Sequence, residues 1–267
     1  MFAKFIISID DVRKYISPRS QLLTERKAAQ SAEIANVQQS ILKLFENQNG
    51  VVSGDCLKSE FFPTDMKKKY NVFISHSHQN IDEIEEFALK LEKDFHVKCF
   101  VDSMVWKNID DLQRDIDNGY SKDNRGGYNY EAVKNSTAHI HSLLAIALFE
   151  MIDQCECCIF VGSNQSLSFD FNSLKTTTLS PWIYEEIFYM NHTKEQELDR
   201  FERKYRKSRQ LNCFSEGFSL KMSHAVDLSS FNPLRIARLE INDYQWHYGE
   251  EHLTKLYLRS GIIEAFI

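Results

Sequence analysis

Hydrophobic residues along this chain follow a helical period in some segments and form short unbroken runs in others. Residues 19–47 read as a helix, with Ile34, Val37, Ile41, Leu44 and Phe45 on one face and ENQNG at 46–50 as a stop. A polar loop passes through GVVSGD and a turn at Pro63, and KKK at 67–69 leads into a different kind of segment. YNVFISHS at 70–77 is short, β-branched and aromatic, and nearly all apolar before its polar end. A strand buried on both faces of a parallel sheet has that composition. VKCFVDS at 97–103 and CECCIFVGS at 155–163 are two more of the same kind. Between the first two lies NIDEIEEFALKLEKDF, whose Ile81, Ile84, Leu89 and Leu91 among charges predict an amphipathic helix.

Further helices are expected through DDLQRDID at 110–117, at about 138–153, from Pro181 onward and at the C-terminus. YSKDNRGGYNYE at 120–131 reads as a loop, and FSLKMSHAVDLSSF at 218–231 holds a fourth, more amphipathic strand. Strands alternating with helices predict an α/β fold with a mostly parallel central sheet flanked by helices. Ligands of such sheets bind beyond the carboxyl ends of the strands. The loops to inspect are therefore SHSH after the first strand, DSMVW after the second and GSNQS after the third.

Composition narrows the class. A content of 43% hydrophobic and 26% charged residues is ordinary for a globular protein, and no apolar run approaches a bilayer span. The opening MFAKFIISIDDVRKY has a short apolar patch, but acidic residues follow at once and no small-residue cleavage site appears, so no signal peptide is expected. The six cysteines are irregularly spaced; CECC has no second ligand cluster, and buried reduced thiols in a cytoplasmic protein are the simpler reading. A net charge of −6 argues against a nucleic-acid partner, and the basic run RFERKYRKSR at 200–209 reads as the solvated face of a helix. No membrane partner is expected either.

Several chemistries are excluded by pattern. No glycine-rich phosphate loop follows the first strand, no acidic cluster of a phosphate receiver stands there, and no G-x-S-x-G elbow occurs. The histidine pairs of SHSH and HIH lack a third ligand at a diagnostic spacing, so no metal is expected. His76 and Ser77 read as loop groups facing a substrate, and His139 and His141 as residues capping or decorating a helix start.

The helix from Pro181 carries more information. Ser180 suits the N-cap and Pro181 the first helical position. With Ile183, Ile187 and Met190 as the apolar centre, Glu185 falls roughly 160° away, toward solvent, and Glu186 only about 60–80° away, beside Trp182. Geometry alone leaves two readings of Glu186 open: a rim carboxylate paired with a nearby Lys or Arg, or a poorly solvated carboxylate in a cleft.

Taken in order, YNVFISHSHQNID, VKCFVDS, the strand ending in GSNQS, and SPWIYEEI resemble a TIR (Toll/interleukin-1 receptor) domain, from about residue 67 and most closely up to about 192. The bacterial NAD+-cleaving type, as in antiphage defence systems such as Thoeris, is the nearest in character. This resemblance implies a flavodoxin-like fold for residues 67–267, with residues 1–66 as an N-terminal helical extension. It implies cleavage of NAD+, as substrate rather than cofactor, at the nicotinamide–ribose bond. The catalytic glutamate of the W-x-x-x-E motif falls on Glu186. The loop after the first strand places His76, Ser77 and His78 at the substrate; the loop after the second adds Asp102, Ser103 and Trp106; Trp182 completes the motif. The chain departs from some NAD+-cleaving relatives at Ser77 and His78, where those have arginines.

Expected partners are NAD+, further copies of the chain through TIR–TIR contacts, and a separate effector that senses an ADP-ribose-derived product. The rival function is that of a non-catalytic TIR adaptor acting through assembly alone.

Overall fold

Three of the expected strands lie together in one parallel sheet, and the chain's first residues supply a fourth that the apolar pattern had not marked as one. The structure, a computed structural model of the 267-residue chain, describes residues 1–16, 24, 70–101, 113–123, 125–170, 175–194, 205–207, 224–239 and 249–265. Numbered in chain order, the strands of this sheet are β1 (Ala3–Ser8), β2 (Val72–Ser75), β3 (Cys99–Val101), β4 (Cys157–Gly162) and β9 (Asn232–Pro233). From edge to edge they run β3-β2-β4-β1-β9, every pair parallel.

β1 corrects the expectation of a helical extension over 1–66 at its beginning. AKFIIS pairs along its whole length with β4, from Ala3 against Cys157 to Ser8 against Gly162. Ser8 then caps α1 (Ile9–Tyr15), its hydroxyl accepting from the Asp11 backbone N–H at 3.1 Å. Asp10 and Asp11 in the first turn and Arg13 and Lys14 in the last suit the helix dipole. Of the expected helix over 19–47 only Thr24 is described, and it is helical; the rest lies outside the described residues.

Register and the two-residue period of a strand assign the faces. Lys4, Cys158, Phe73 and Phe100 share one row, with Ile6, Phe160 and Ser75 in the next row of that face. The opposite face carries Phe5, Ile159, Ile74 and Val101. On it lie α1, α2 (Ile81–Phe95) and α6 (Gly249–Arg259): α2 packs against both other helices, and the buried Tyr257 of α6 stacks on Phe5 at 6.3 Å. Tyr257 also donates to Glu156 Oε1 at 2.8 Å, so its ring is in the core and its hydroxyl has a partner.

Beyond β4 the chain builds a second, antiparallel sheet from β5 (Ser168–Asp170), β6 (Lys175–Thr178) and β8 (His224–Ala225). Of the expected strand in 218–231, His224–Ala225 forms β8, and residues 218–223 lie outside the described residues. Between β6 and β8 comes α4 (Pro181–His192). Tyr205–Lys207, inside the basic run read as a helix, forms β7 and pairs with β10 (Ile263–Ala265), after α5 (Ile236–Leu239) and α6.

Contacts divide the chain into two compact units, one of Met1–Ser20, Lys69–Val101 and Ile152–Ile267 containing these sheets, the other of Gln21–Lys68 and Asp102–Met151. In the second unit, a helical segment at 113–120 and a turn closed by the Lys122–Tyr128 bridge lead into α3 (Tyr130–Gln154), which begins eight residues before the expected 138. Gly126, at φ +81°, supplies the left-handed residue of that turn. Asp117 accepts from Gln113 Nε2, Ser136 Oγ and Ser121 Oγ at 2.8, 2.7 and 2.9 Å.

Candidate functional site

The crossover from β2 leads to β3 on one side, and the next strand of the run, β4, lies on the other side of β2. The boundary between β2 and β4 is therefore a topological switch point, and its carboxyl end is where such sheets hold ligands. Ser75 is the last residue of β2, the one polar side chain in a strand that is otherwise Val72, Phe73 and Ile74, and it is fully buried.

Glu186 comes to the same place from α4. The helix starts as its sequence requires: Ser180 is the N-cap and accepts from Ile183 N at 3.3 Å, Pro181 opens the first turn, and Thr178 Oγ1 accepts from Ser180 N at 3.2 Å. α4 buries Ile183, Glu186, Ile187 and Met190, the face that helical phase had selected. Glu186 is 0% exposed, and Ser75 Oγ donates to its Oε2 at 2.5 Å. Beneath them on β4, burial pushes the Cys158 thiol up to about 12; the amino terminus and Lys4 pull it down, and the charge of Glu186 adds to the rise. Glu186 thus lies in the interior against a serine rather than at an exposed rim.

Glu185 does not point cleanly to solvent. It is half-buried, and its charge, after burial itself, raises the Tyr189 hydroxyl one turn on. The helical wheel assumed one buried side, whereas the small antiparallel sheet covers a second flank of α4 through β6 and β8, with Tyr184 stacked on His224 at 4.4 Å.

The loop after β2 contributes groups of different character. His76 is 1% exposed, and its ring lies 6.2 Å from that of His78. Ser77 is half-buried and His78 exposed on a 3-10 turn, His78–Asn80, that feeds α2. Asn80, which the sequence did not single out, is buried at the start of α2 and makes no cap bond; its carboxamide Oδ1 has no hydrogen-bond partner among the described residues. An orphan acceptor of this kind at a strand's carboxyl end is suited to a ligand's hydroxyl or amide N–H. The local signal was an Asn immediately before an apolar helical period, which reads as an ordinary cap.

The loop after β4 closes on itself: Ser166 Oγ accepts from Ser163 N at 2.8 Å, and Ser166 N donates to Ser163 O at 3.1 Å. Trp182 is half-buried one turn before Glu186. Asp102, Ser103 and Trp106 lie outside the described residues. The structure thus brings Ser75 and Glu186 into direct contact, with His76 buried in the adjoining loop.

His139 and His141 are exposed in the middle of α3 rather than at a helix start. Among the described residues no group of three or more His, Cys, Asp or Glu is arranged to hold a metal ion, and Cys99, Cys155, Cys157 and Cys158 are buried free thiols. No helix among these residues is long and apolar enough to cross a membrane. No protein-family model, curated protein or solved structure matches this chain.

Proposed function

We propose that this chain is a TIR-domain enzyme of the bacterial NAD+-cleaving type, with Glu186 as its catalytic carboxylate. The observation that carries the reading is the meeting of Glu186 and Ser75 at the carboxyl end of β2, at the β2/β4 switch point. The glutamate there is the one the W-x-x-x-E motif selects from Trp182. The order β3-β2-β4 also agrees with the start of the flavodoxin-like arrangement, 2-1-3, while β1 departs from it by taking the next position from the N-terminal side of the chain.

The chemistry needs little more than this. Breaking the nicotinamide–ribose bond sends its electron pair to the pyridine nitrogen, and nicotinamide leaves neutral, so no general acid is required. The ribose carbon becomes oxocarbenium-like, as in glycoside cleavage generally. A carboxylate held in a dry site stabilises that charge and orients the sugar hydroxyls. Water as acceptor gives ADP-ribose and releases a proton to solvent; an atom of the same nucleotide gives a cyclic isomer. In antiphage defence such a product serves as a signal to a separate effector, and copies of the chain are expected to assemble through TIR–TIR contacts.

A specific observation favours a second reading, the non-catalytic adaptor. Glu186, Ser75 and His76 are at most 1% exposed, so substrate reaches the carboxylate only after the site opens. Incubation of the purified chain with NAD+ across a range of protein concentrations, with nicotinamide followed by mass spectrometry, separates the two. Release that Glu186→Ala abolishes in a folded protein supports the enzyme. A chain that assembles and releases no nicotinamide supports the adaptor.

A further inference from the structure

We infer that Ser75 is a positioning residue for Glu186: its hydroxyl holds one carboxylate oxygen in place, while other contacts hold the helix itself. The inference rests on Glu186 being the catalytic carboxylate. Three observations lead to it. The first is contact, Ser75 Oγ to Glu186 Oε2 at 2.5 Å with both residues fully buried. The second is placement: Ser75 ends a strand whose other side chains are apolar, at the edge where ligands of parallel sheets bind.

The third is that α4 does not need this bond to stay in place. Its N-terminus is held by Ser180 and Thr178. Its far end is held by Asn191, whose Oδ1 accepts from Lys4 Nζ at 3.0 Å and Ser230 Oγ at 2.7 Å, and whose Nδ2 donates to Asp227 O at 2.8 Å. Ile183, Ile187 and Met190 fill the core between the two ends. Loss of the serine hydroxyl therefore removes a hydrogen bond that orients the carboxylate and leaves the backbone of the helix where it is. A catalytic group turned away from its productive orientation loses rate rather than affinity.

The hydroxyl also has an electrostatic consequence. A donor to a carboxylate favours its charged form, so removing the donor raises the pH at which Glu186 loses its charge. Among the described residues, the titratable groups around it include His76 in the loop after β2, Cys158 and Lys4 on the sheet below, and Glu185 on its own helix. Ser75→Ala leaves all of them in place, so the change reports the lost hydrogen bond.

The test compares Ser75→Ala, Ser75→Cys, Ser75→Thr and Glu186→Gln with the unaltered chain, using nicotinamide release, its pH profile, and a carbon-13 titration of labelled glutamate carboxyls, with Glu186→Gln assigning the Glu186 signal. For Ser75→Ala the expectation is a fall in kcat on the order of 10- to 100-fold with KM within about threefold, and an acid limb moved up by about one pH unit. Thr, which keeps the hydroxyl, recovers most of the rate, and Cys recovers less. A folded Ser75→Ala chain with unaltered kcat and pH profile overturns the positioning role while leaving Glu186 as catalyst. If Glu186→Gln keeps full activity, the catalytic reading fails instead. If the unaltered chain releases no nicotinamide, the carboxyl titration still decides whether Ser75 sets the ionisation of Glu186; an unmoved signal in Ser75→Ala overturns it. Should Ser75→Ala not fold, Ser75→Cys carries the same comparison, and unaltered kinetics there overturn the inference.

Discussion

Replacing Ser75 and Glu186 together, as Ser75→Ala with Glu186→Met, separates a pair kept for stability from a pair kept for chemistry. Both side chains are fully buried and share one hydrogen bond of 2.5 Å. A buried charged hydrogen bond contributes about 1.5–3 kcal/mol when measured by deleting one partner. Most of that figure is the penalty of leaving the other group buried without its bond. Removing both partners and filling the space with apolar atoms avoids the penalty, and such replacements come out near neutral or stabilising by about 1–4 kcal/mol.

Glu186 is the sixth residue of α4, past the first turn in which the helix dipole favours an anion, so the dipole offers little compensation for its burial. The expected result is thus a loss of about 1.5–3 kcal/mol for Glu186→Met alone and no loss, or a gain, for the double variant, while nicotinamide release disappears in both. Urea denaturation with an unchanged slope is the assay, because an unchanged slope shows that the same surface is being exposed. A double variant destabilised by 3 kcal/mol or more on this scale of about 1–4 would refute the reasoning and make the pair structural.

Other expectations concern the scaffold. Phe5→Ala, which empties the centre of β1 where Phe5 is 0% exposed beneath Tyr257, should cost about 3–5 kcal/mol in denaturant unfolding; a cost below about 1 would remove β1 from the core. Ser180→Ala should cost about 1 kcal/mol through the lost α4 cap, and calorimetry reads it directly. Burial would raise the Asp117 carboxyl, but the bonds from Gln113, Ser136 and Ser121 outweigh burial and hold it below its ordinary 3.8. The stability these bonds give is complete at neutral pH and is lost as the pH falls below about 4 through the lower folded value, so Asp117→Asn should flatten that part of an acid titration. Cys155, Cys157 and Cys158, buried and with thiols pushed up, to about 12 for Cys158, should resist alkylation at pH near 8 until the chain is unfolded, with labelling mapped by mass spectrometry.

Strands buried on both faces declare themselves by composition, which is why 70–77, 97–103 and 155–163 were legible as strands and why their helical partner at 81–95 followed. AKFIIS has the same character, but its neighbours in the sheet are Cys157–Gly162 and Asn232–Pro233, more than 140 residues away. A parallel strand of this kind has no turn or hairpin partner beside it to mark it, and an apolar patch at a chain start first invites a targeting question. The signal that was present is Ser8 three residues before Asp11, an N-cap pattern closing the strand. Glu185 was misplaced for a related reason: phase assigns one buried side to a helix, and the flank covered by β6 and β8 depends on strands whose pairing no local pattern encodes. Ser75 was passed over because a polar residue ending an apolar run reads as the loop, whereas the register puts it in the last sheet row on the α4 side.

β1 and Glu186 belong to one arrangement. Lys4 occupies the same row of the sheet as Cys158 and Phe73, and it reaches Asn191 on the last turn of the helix whose second turn carries Glu186. α4 is thus tied across the face at two points, to β2 through Ser75 and to β1 through Lys4, with Ser230 closing the second tie at 2.7 Å from Lys4 Nζ. A lysine in the middle of a sheet face loses hydration, and polar partners aligned to receive it offset that cost. Those partners sit on α4 and on the segment leading into β9, so the strand that fills the sheet also fixes the far end of the helix. The carboxylate's position at the switch point follows from both ties together, and the Ser75 hydroxyl acts on its orientation directly.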